Sequence, residues 1–126
     1  TIDKDVRSGC VSILTNMLLK EYKELAHDSF KLNGNFEGQR GVITKSAVAT
    51  RIRKRMQDDF CLGAIFPQVV LGIQSDSDFG KKLKEGEEYD SKEIFADCII
   101  SIIDGMQRSN IYFKNFEGNE NRKIRV

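Results

Sequence analysis

Cysteine, histidine and proline are scarce in this chain, and tryptophan is absent. The 126 residues include three cysteines, one histidine and one proline. The cysteines are odd in number and far apart, so the sequence predicts neither a zinc site nor a disulfide framework, and a reducing cytoplasm is the compartment that fits. With His27 as the single histidine, a serine or cysteine nucleophile has no evident general base, and no complete hydrolytic constellation is present.

Long apolar runs are also missing. No stretch approaches the roughly 20 apolar residues of a membrane-spanning helix, and residues 1–5 lack the apolar region of a signal peptide. We therefore expect no membrane partner. A chain of 126 residues with 40% hydrophobic side chains can close one core, which predicts a single domain over residues 1–126. Because the chain begins without methionine and ends in a strand-like segment, we expect this domain to be part of a longer protein.

Charge is nearly balanced overall but is segregated along the chain. The formal net charge of +1 creates no global field toward nucleic acid. Residues 40–55 carry six basic side chains and no acid, whereas residues 75–97 hold eight acids against four lysines. A solvated helix face is the commoner reason for such a basic run, and contact with a nucleic-acid backbone is the alternative. The candidates for that contact are Arg51, Lys54 and Arg55.

Strand-like and helix-like patterns alternate, which predicts an α/β (α+β) domain with a small mixed sheet and flanking helices. Strands are predicted over residues 10–14, 68–74 and 94–103 and from residue 123, and helices from Thr15 as N-cap, within 44–60 and over 109–116. The strand over 68–74 is apolar enough to be covered on both faces, and the segment 94–103 is expected as a second central strand. Two helical stripes are predicted to face the core: Leu18, Leu19, Tyr22, Leu25 and Ala26 in the first helix, and Val48, Ile52, Met56 and Phe60 in the second.

The most informative segment is the pentapeptide Asp104-Gly105-Met106-Gln107-Arg108, which follows the apolar run 99–103. The order predicts a strand, a tight glycine turn and the start of a helix, where backbone amides can bind an anion. Arg108 can place a guanidinium on the same phosphate, and Asp104 can accept hydrogen bonds. The alternative is purely structural, with Asp104 capping the helix and Arg108 pairing with a surface carboxylate.

The order of segments in this chain resembles the ParB/sulfiredoxin superfamily. Gly38-Gln39-Arg40 precedes the basic helix, Phe66-Pro67-Gln68-Val69-Val70 begins the next strand, and a later strand leads into the D-G-x-x-R turn. The resemblance covers roughly residues 10–116 and is closest to the D-G-Q-H-R branch, which includes the DndB-like proteins of DNA modification. Met106-Gln107 stands where that branch has Gln-His. Because sulfiredoxin-type reductases need a cysteine in this turn, sulfinic-acid reduction is not expected here.

The resemblance implies a nucleotide- or DNA-binding domain, and an NTPase is one expected activity, in a bacterial DNA modification or phage-defence protein. On that basis Gly105, Gln107 and Arg108 would hold the phosphates of ATP or another nucleotide, with Arg40 as a further ligand. Asp104 would be the catalytic group that orients the turn or a Mg²⁺-bound water, and duplex DNA would be the partner of Arg51, Lys54 and Arg55. The alternative is a non-enzymatic interaction domain that keeps the fold without nucleotide turnover.

Overall fold

The computed structural model describes residues 1–35, 47–74, 83–84 and 86–126. The strands of these ranges are β1 (Ile2–Lys4), β2 (Val11–Ile13), β3 (Asn16–Leu18), β4 (Val70–Gln74), β5 (Ile99–Asp104) and β6 (Lys123–Arg125). The helices are α1 (Leu19–Lys31), α2 (Ala47–Cys61), α3 (Ser91–Ile94) and α4 (Met106–Lys114). The α+β class predicted from the sequence is confirmed. Among the helices of these ranges, none combines the length and apolar character required to cross a membrane.

The strands of the described ranges form three antiparallel pairs, which differs from the mixed sheet that was expected. The pairs are β1 with β2, β3 with β6, and β4 with β5. The amide of Val69 donates to the carbonyl of Arg125 at 3.0 Å, which joins the β3–β6 pair to the start of β4. On the other side, the amide of Ile102 donates to the carbonyl of Gly34 at 2.8 Å, so the turn after α1 continues the ladder beyond β5.

The first long helix begins later than the sequence predicts. Thr15 is not its N-cap, because residues 16–18 form β3 and pair with β6 from the far end of the chain. The carboxylate of Glu21 instead accepts a hydrogen bond from the amide of Leu18 at 2.9 Å. The inner stripe is confirmed in part: Leu19, Tyr22 and Ala26 are fully buried, Leu25 is half-buried, and Leu18 lies in β3 and not in the helix.

The apolar stripe predicted for the second helix is only half right. Phe60 is buried and Met56 packs against the core, but Val48 and Ile52 are 55% and 54% exposed. α2 is anchored at its C-terminal end, where the guanidinium of Arg122 donates to the carbonyls of Phe60 and Ala64 and lies 3.8 Å from the Phe60 ring centroid. The N-terminal half of α2 therefore leaves its apolar residues at the surface.

The β4–β5 pair is covered on one face, whereas the strand over residues 68–74 was expected to be covered on both. Ile102 is fully buried, whereas Val70, Ile99 and Ile103 are exposed. β5 also begins at Ile99 and not at residue 94, because residues 91–94 form α3. Exposure of these side chains beside the buried Ile102 is typical of an antiparallel pair with one face toward the core.

The core surrounds α4, which lies between α1, the end of α2 and the strands. α4 begins three residues before the helix predicted over 109–116, directly after Gly105. Its Tyr112 ring meets Tyr22 of α1 edge-on at 6.2 Å and Phe60 of α2 at 5.5 Å between centroids. The buried apolar residues are Leu19, Tyr22, Ala26, Phe60, Val69, Ile102, Met106, Ile111, Tyr112 and Ile124.

Candidate functional site

The turn between β5 and α4 is built on the left-handed conformation of Gly105. Gly105 has φ = 110° and ψ = 23° and is the N-cap of α4, as the sequence predicts for a strand that turns sharply into a helix. A Cβ atom at this position would lie 3.0 Å from Cγ2 of Val69. Glycine is therefore required both by the backbone angle and by the close approach of Val69.

Arg108 holds the two ends of this turn together. One terminal nitrogen of its guanidinium donates to Asp104 Oδ2 and to the carbonyl oxygen of Gln68, each at 3.1 Å. The Arg108 side chain is 20% exposed and that of Asp104 is 70% exposed. Asp104 is thus an ion-pair partner of Arg108 and not a helix cap. The structural interpretation of this segment predicted that Arg108 pairs with a surface carboxylate. Arg108 does pair with a carboxylate, and that carboxylate is Asp104 of the same turn.

One nitrogen of the Arg108 guanidinium forms no hydrogen bond. Its Nε atom is buried and has no hydrogen-bond partner. Gln107 lies beside it in the first turn of α4 and is half-buried. Because an unsatisfied charged donor is costly, an oxygen ligand that reached this nitrogen would be stabilising.

The buried hydroxyl groups of Ser109 and Tyr22 form hydrogen bonds that stabilise the turn. The hydroxyl of Ser109 donates to the Gly105 carbonyl at 2.8 Å, and it is 2.6 Å from the hydroxyl of Tyr22. Since the Ser109 proton is directed to Gly105, Tyr22 is the donor to Ser109. Burial raises the pKa of Tyr22 well above its usual range, so this hydroxyl stays protonated and able to donate.

Tyr112 is the second tyrosine whose titration is shifted. Burial raises the pKa of Tyr112 to about 12, and the positive charges of Arg108 and Arg122 oppose that shift. Both tyrosines are therefore neutral at physiological pH, and they support the turn as packing groups and as a hydrogen-bond donor. Nothing in this arrangement makes either tyrosine an acid or base near neutrality.

The basic face of α2 is exposed. Arg51, Lys54 and Arg55 all lie at the surface, as the helical spacing predicts. Their positions i, i+3 and i+4 place them on one side of the helix. The residues of α2 up to position 57 carry no acid, and Asp58 and Asp59 follow near its C-terminal end.

The structure brings together part of the candidate site. Asp104, Gly105, Gln107 and Arg108 share the turn, whereas Arg40 lies outside the described residues. Three contributors to the turn were missed as site residues: Gln68, Val69 and Ser109. Gln68 and Val69 belong to the segment Phe66–Val70. The sequence gives little indication that they contact the turn, because only the tertiary fold places this segment beside Gly105. Tyr22 was predicted as a core residue, and its hydroxyl contact with α4 could not be read from helical spacing.

No protein-family model matches this chain, and no curated protein and no solved structure is significantly similar to it. The resemblance to the ParB/sulfiredoxin superfamily therefore stays a prediction from the motifs and their order.

Proposed function

We propose that this domain binds the phosphate backbone of duplex DNA through the basic face of α2. The observation that carries the proposal is the exposure of Arg51, Lys54 and Arg55 on one side of α2, whose C-terminal end is anchored by Arg122. Phosphate contacts require charge and reach, and three side chains spaced over one helical turn can follow neighbouring phosphates. The resemblance to the D-G-Q-H-R branch supports a role in bacterial DNA modification or defence.

The test is a fluorescence anisotropy titration of labelled duplex DNA at several salt concentrations. Three phosphate contacts predict that log K falls with log salt with a slope of roughly −3. Reversing the charges with Arg51→Glu, Lys54→Glu and Arg55→Glu should abolish binding at low salt. A matched control with the same charge change, Lys4→Glu, Arg7→Glu and Lys20→Glu, alters exposed residues outside α2 and should retain most of the affinity. If both triple variants lost the same DNA affinity, binding would depend on the net charge of the chain and not on the basic face of α2.

A nucleotide phosphate at the D-G-x-x-R turn is a second candidate function, favoured by the unpartnered Nε of Arg108. An exposed ion pair contributes about 0.2–1 kcal/mol, whereas charge-assisted hydrogen bonds contribute about 1.5–3 kcal/mol each. A phosphate could therefore displace Asp104 from Arg108. Gly105 and Met106 are buried, so the ligand would approach from the side of the exposed Asp104.

If ATP is bound with Mg²⁺, Asp104 is the carboxylate that would hold the ion, because magnesium sites commonly use one or two carboxylates together with phosphate oxygens. Within the described residues, no group of three histidine, cysteine, aspartate or glutamate side chains could hold a metal alone. The released Asp104 would then be free to orient a metal-bound water for hydrolysis. The non-enzymatic alternative keeps Asp104 on Arg108 as a structural tie.

Titration calorimetry with ATP, GTP and CTP separates these possibilities. Arg108→Ala should weaken a bound nucleotide by about one to two orders of magnitude, while Arg7→Ala, at an exposed site, should not. Asp104→Asn should tighten binding without Mg²⁺, because it removes the competitor for Arg108, and should weaken Mg²⁺-dependent binding and ATP hydrolysis. Absence of binding below millimolar nucleotide would leave the turn as a structural element.

A further inference from the structure

The first half of α2 leaves two apolar and two basic side chains exposed to solvent. Val48 and Ile52 are one helical turn apart, and Arg51 and Arg55 are one turn apart beside them. These four residues form one contiguous patch, which we term the α2 patch. An apolar pair flanked by arginines is the type of helix surface that binds in a groove of opposite charge.

A groove with complementary chemistry lies along α1. The groove has a volume of about 570 Å³. It is lined by α1, by residues 95, 96 and 98, and by the start of β5. We term it the acidic groove: Glu21, Glu24 and Asp28 follow one side of α1, and Leu25, Leu32 and Ile99 supply apolar surface. Glu24 and Asp28 are one turn apart, the same spacing as Arg51 and Arg55, so two ion pairs can form along one helix–helix contact.

The α2 patch and the acidic groove do not form ion pairs with each other within one molecule. In the described residues, neither Glu24 and Asp28 nor Arg51 and Arg55 has an ion-pair partner. Ile52 is exposed at the α2 patch, and Ile99 is exposed at the groove, so neither surface covers the other.

We propose that the α2 patch of one copy docks in the acidic groove of a second copy of this chain. The contact joins two different surfaces, so two copies can make it reciprocally in a two-fold dimer, or it can repeat head to tail in a ring or filament. Arg51 and Arg55 would be shared between this contact and the DNA backbone. DNA and a second copy therefore compete for α2, which couples assembly to DNA occupancy.

Sedimentation equilibrium of the full chain at low salt tests the association. Oligomers should form in the range of roughly 10–300 µM chain, and added salt should shift the distribution toward monomer. Arg51→Glu with Arg55→Glu should prevent association, as should Glu24→Lys with Asp28→Lys. Mixing these two variants should restore association with 1:1 stoichiometry, because the unaltered α2 patch of the groove variant meets the unaltered groove of the helix variant, and the acidic helix of the latter meets the basic groove of the former. A wild type that is monomeric up to about 1 mM, or a mixture of well-folded variants that does not associate, overturns the proposal.

A second variant separates this contact from DNA binding. Val48→Ser with Ile52→Ser removes the apolar pair and leaves every charge in place. It should weaken self-association at least tenfold while the affinity for duplex DNA at low chain concentration is unchanged. A wild-type chain that self-associates but does not bind duplex DNA contradicts the proposed function alone. Unchanged association in the double serine variant contradicts the docking proposal alone.

Discussion

Helices α4 and α2 relate to the core in opposite ways. α4 has nine residues and buries five of them, whereas α2 has 15 residues and buries only Phe60. Both carry apolar residues at helical spacing, but α4 is surrounded by α1, the strands and the end of α2. The comparison teaches that an apolar stripe faces a core only where the fold supplies a partner surface. The same difference separates the enclosed turn at Gly105 from the exposed basic face of α2.

Replacing one isoleucine in each helix should give the largest difference between them. Ile111→Ala in α4 removes a fully buried side chain and should lower the free energy of unfolding by about 2–5 kcal/mol. Ile52→Ala in α2 should change it by no more than about 0.5 kcal/mol, since that side chain is half exposed. Urea unfolding followed by circular dichroism at low micromolar chain measures both. Similar losses would mean that α2 is as well packed as α4.

Two glycines at the ends of these helices allow a second, smaller comparison. Gly63 follows α2 with φ = 93°, and an added Cβ there would meet no atom within 4 Å. Gly63→Ala should therefore cost only the backbone strain, about 1 kcal/mol. Gly105→Ala adds the contact with Val69 and should cost about 2–3 kcal/mol.

The same denaturation experiment in a Val69→Ala background isolates the contact. Removal of the Val69 methyl groups should reduce the penalty of Gly105→Ala toward that of Gly63→Ala. If the two penalties stay as far apart as before, close packing at Val69 is not the reason for glycine at position 105.

The smallest expected effect is visible only at alkaline pH and concerns α4 and its neighbours. The pKa of Tyr112 is raised to about 12, and the pKa of Tyr22 is also raised, both chiefly by burial. The unfolded chain loses these protons near pH 10, before the folded chain does. Stability from these groups is therefore complete below pH 10 and declines as the pH rises through 12.

Unfolding free energies measured between pH 9 and 12 test this assignment. Tyr112→Phe should make the alkaline decline shallower, whereas Tyr89→Phe, at an exposed position, should leave it unchanged. An unaltered decline in Tyr112→Phe would place the responsible titration elsewhere.

The sequence predicted best those features that depend on neighbouring residues. The positive φ of Gly105, the burial of Leu19, Tyr22 and Ala26 in α1 and the exposure of the basic face of α2 follow from a strand-to-helix turn and from helical spacing, and these features are confirmed. Local pattern could not show that β3 would replace the expected N-cap at Thr15, because β3 forms only by pairing with β6. For the same reason the apolar Val48 and Ile52 were wrongly placed in the core.

The amino-acid sequence by itself determined the α+β class, the segregation of basic and acidic segments and the glycine turn that ends in Arg108. Only the tertiary structure decided what Arg108 touches, because Gln68 is 40 residues away along the chain and reaches the guanidinium through the β4–β5 pairing. Tertiary packing also decided which helix is buried. Spacing fixes which residues share a face, but the buried area depends on which elements pack against that face.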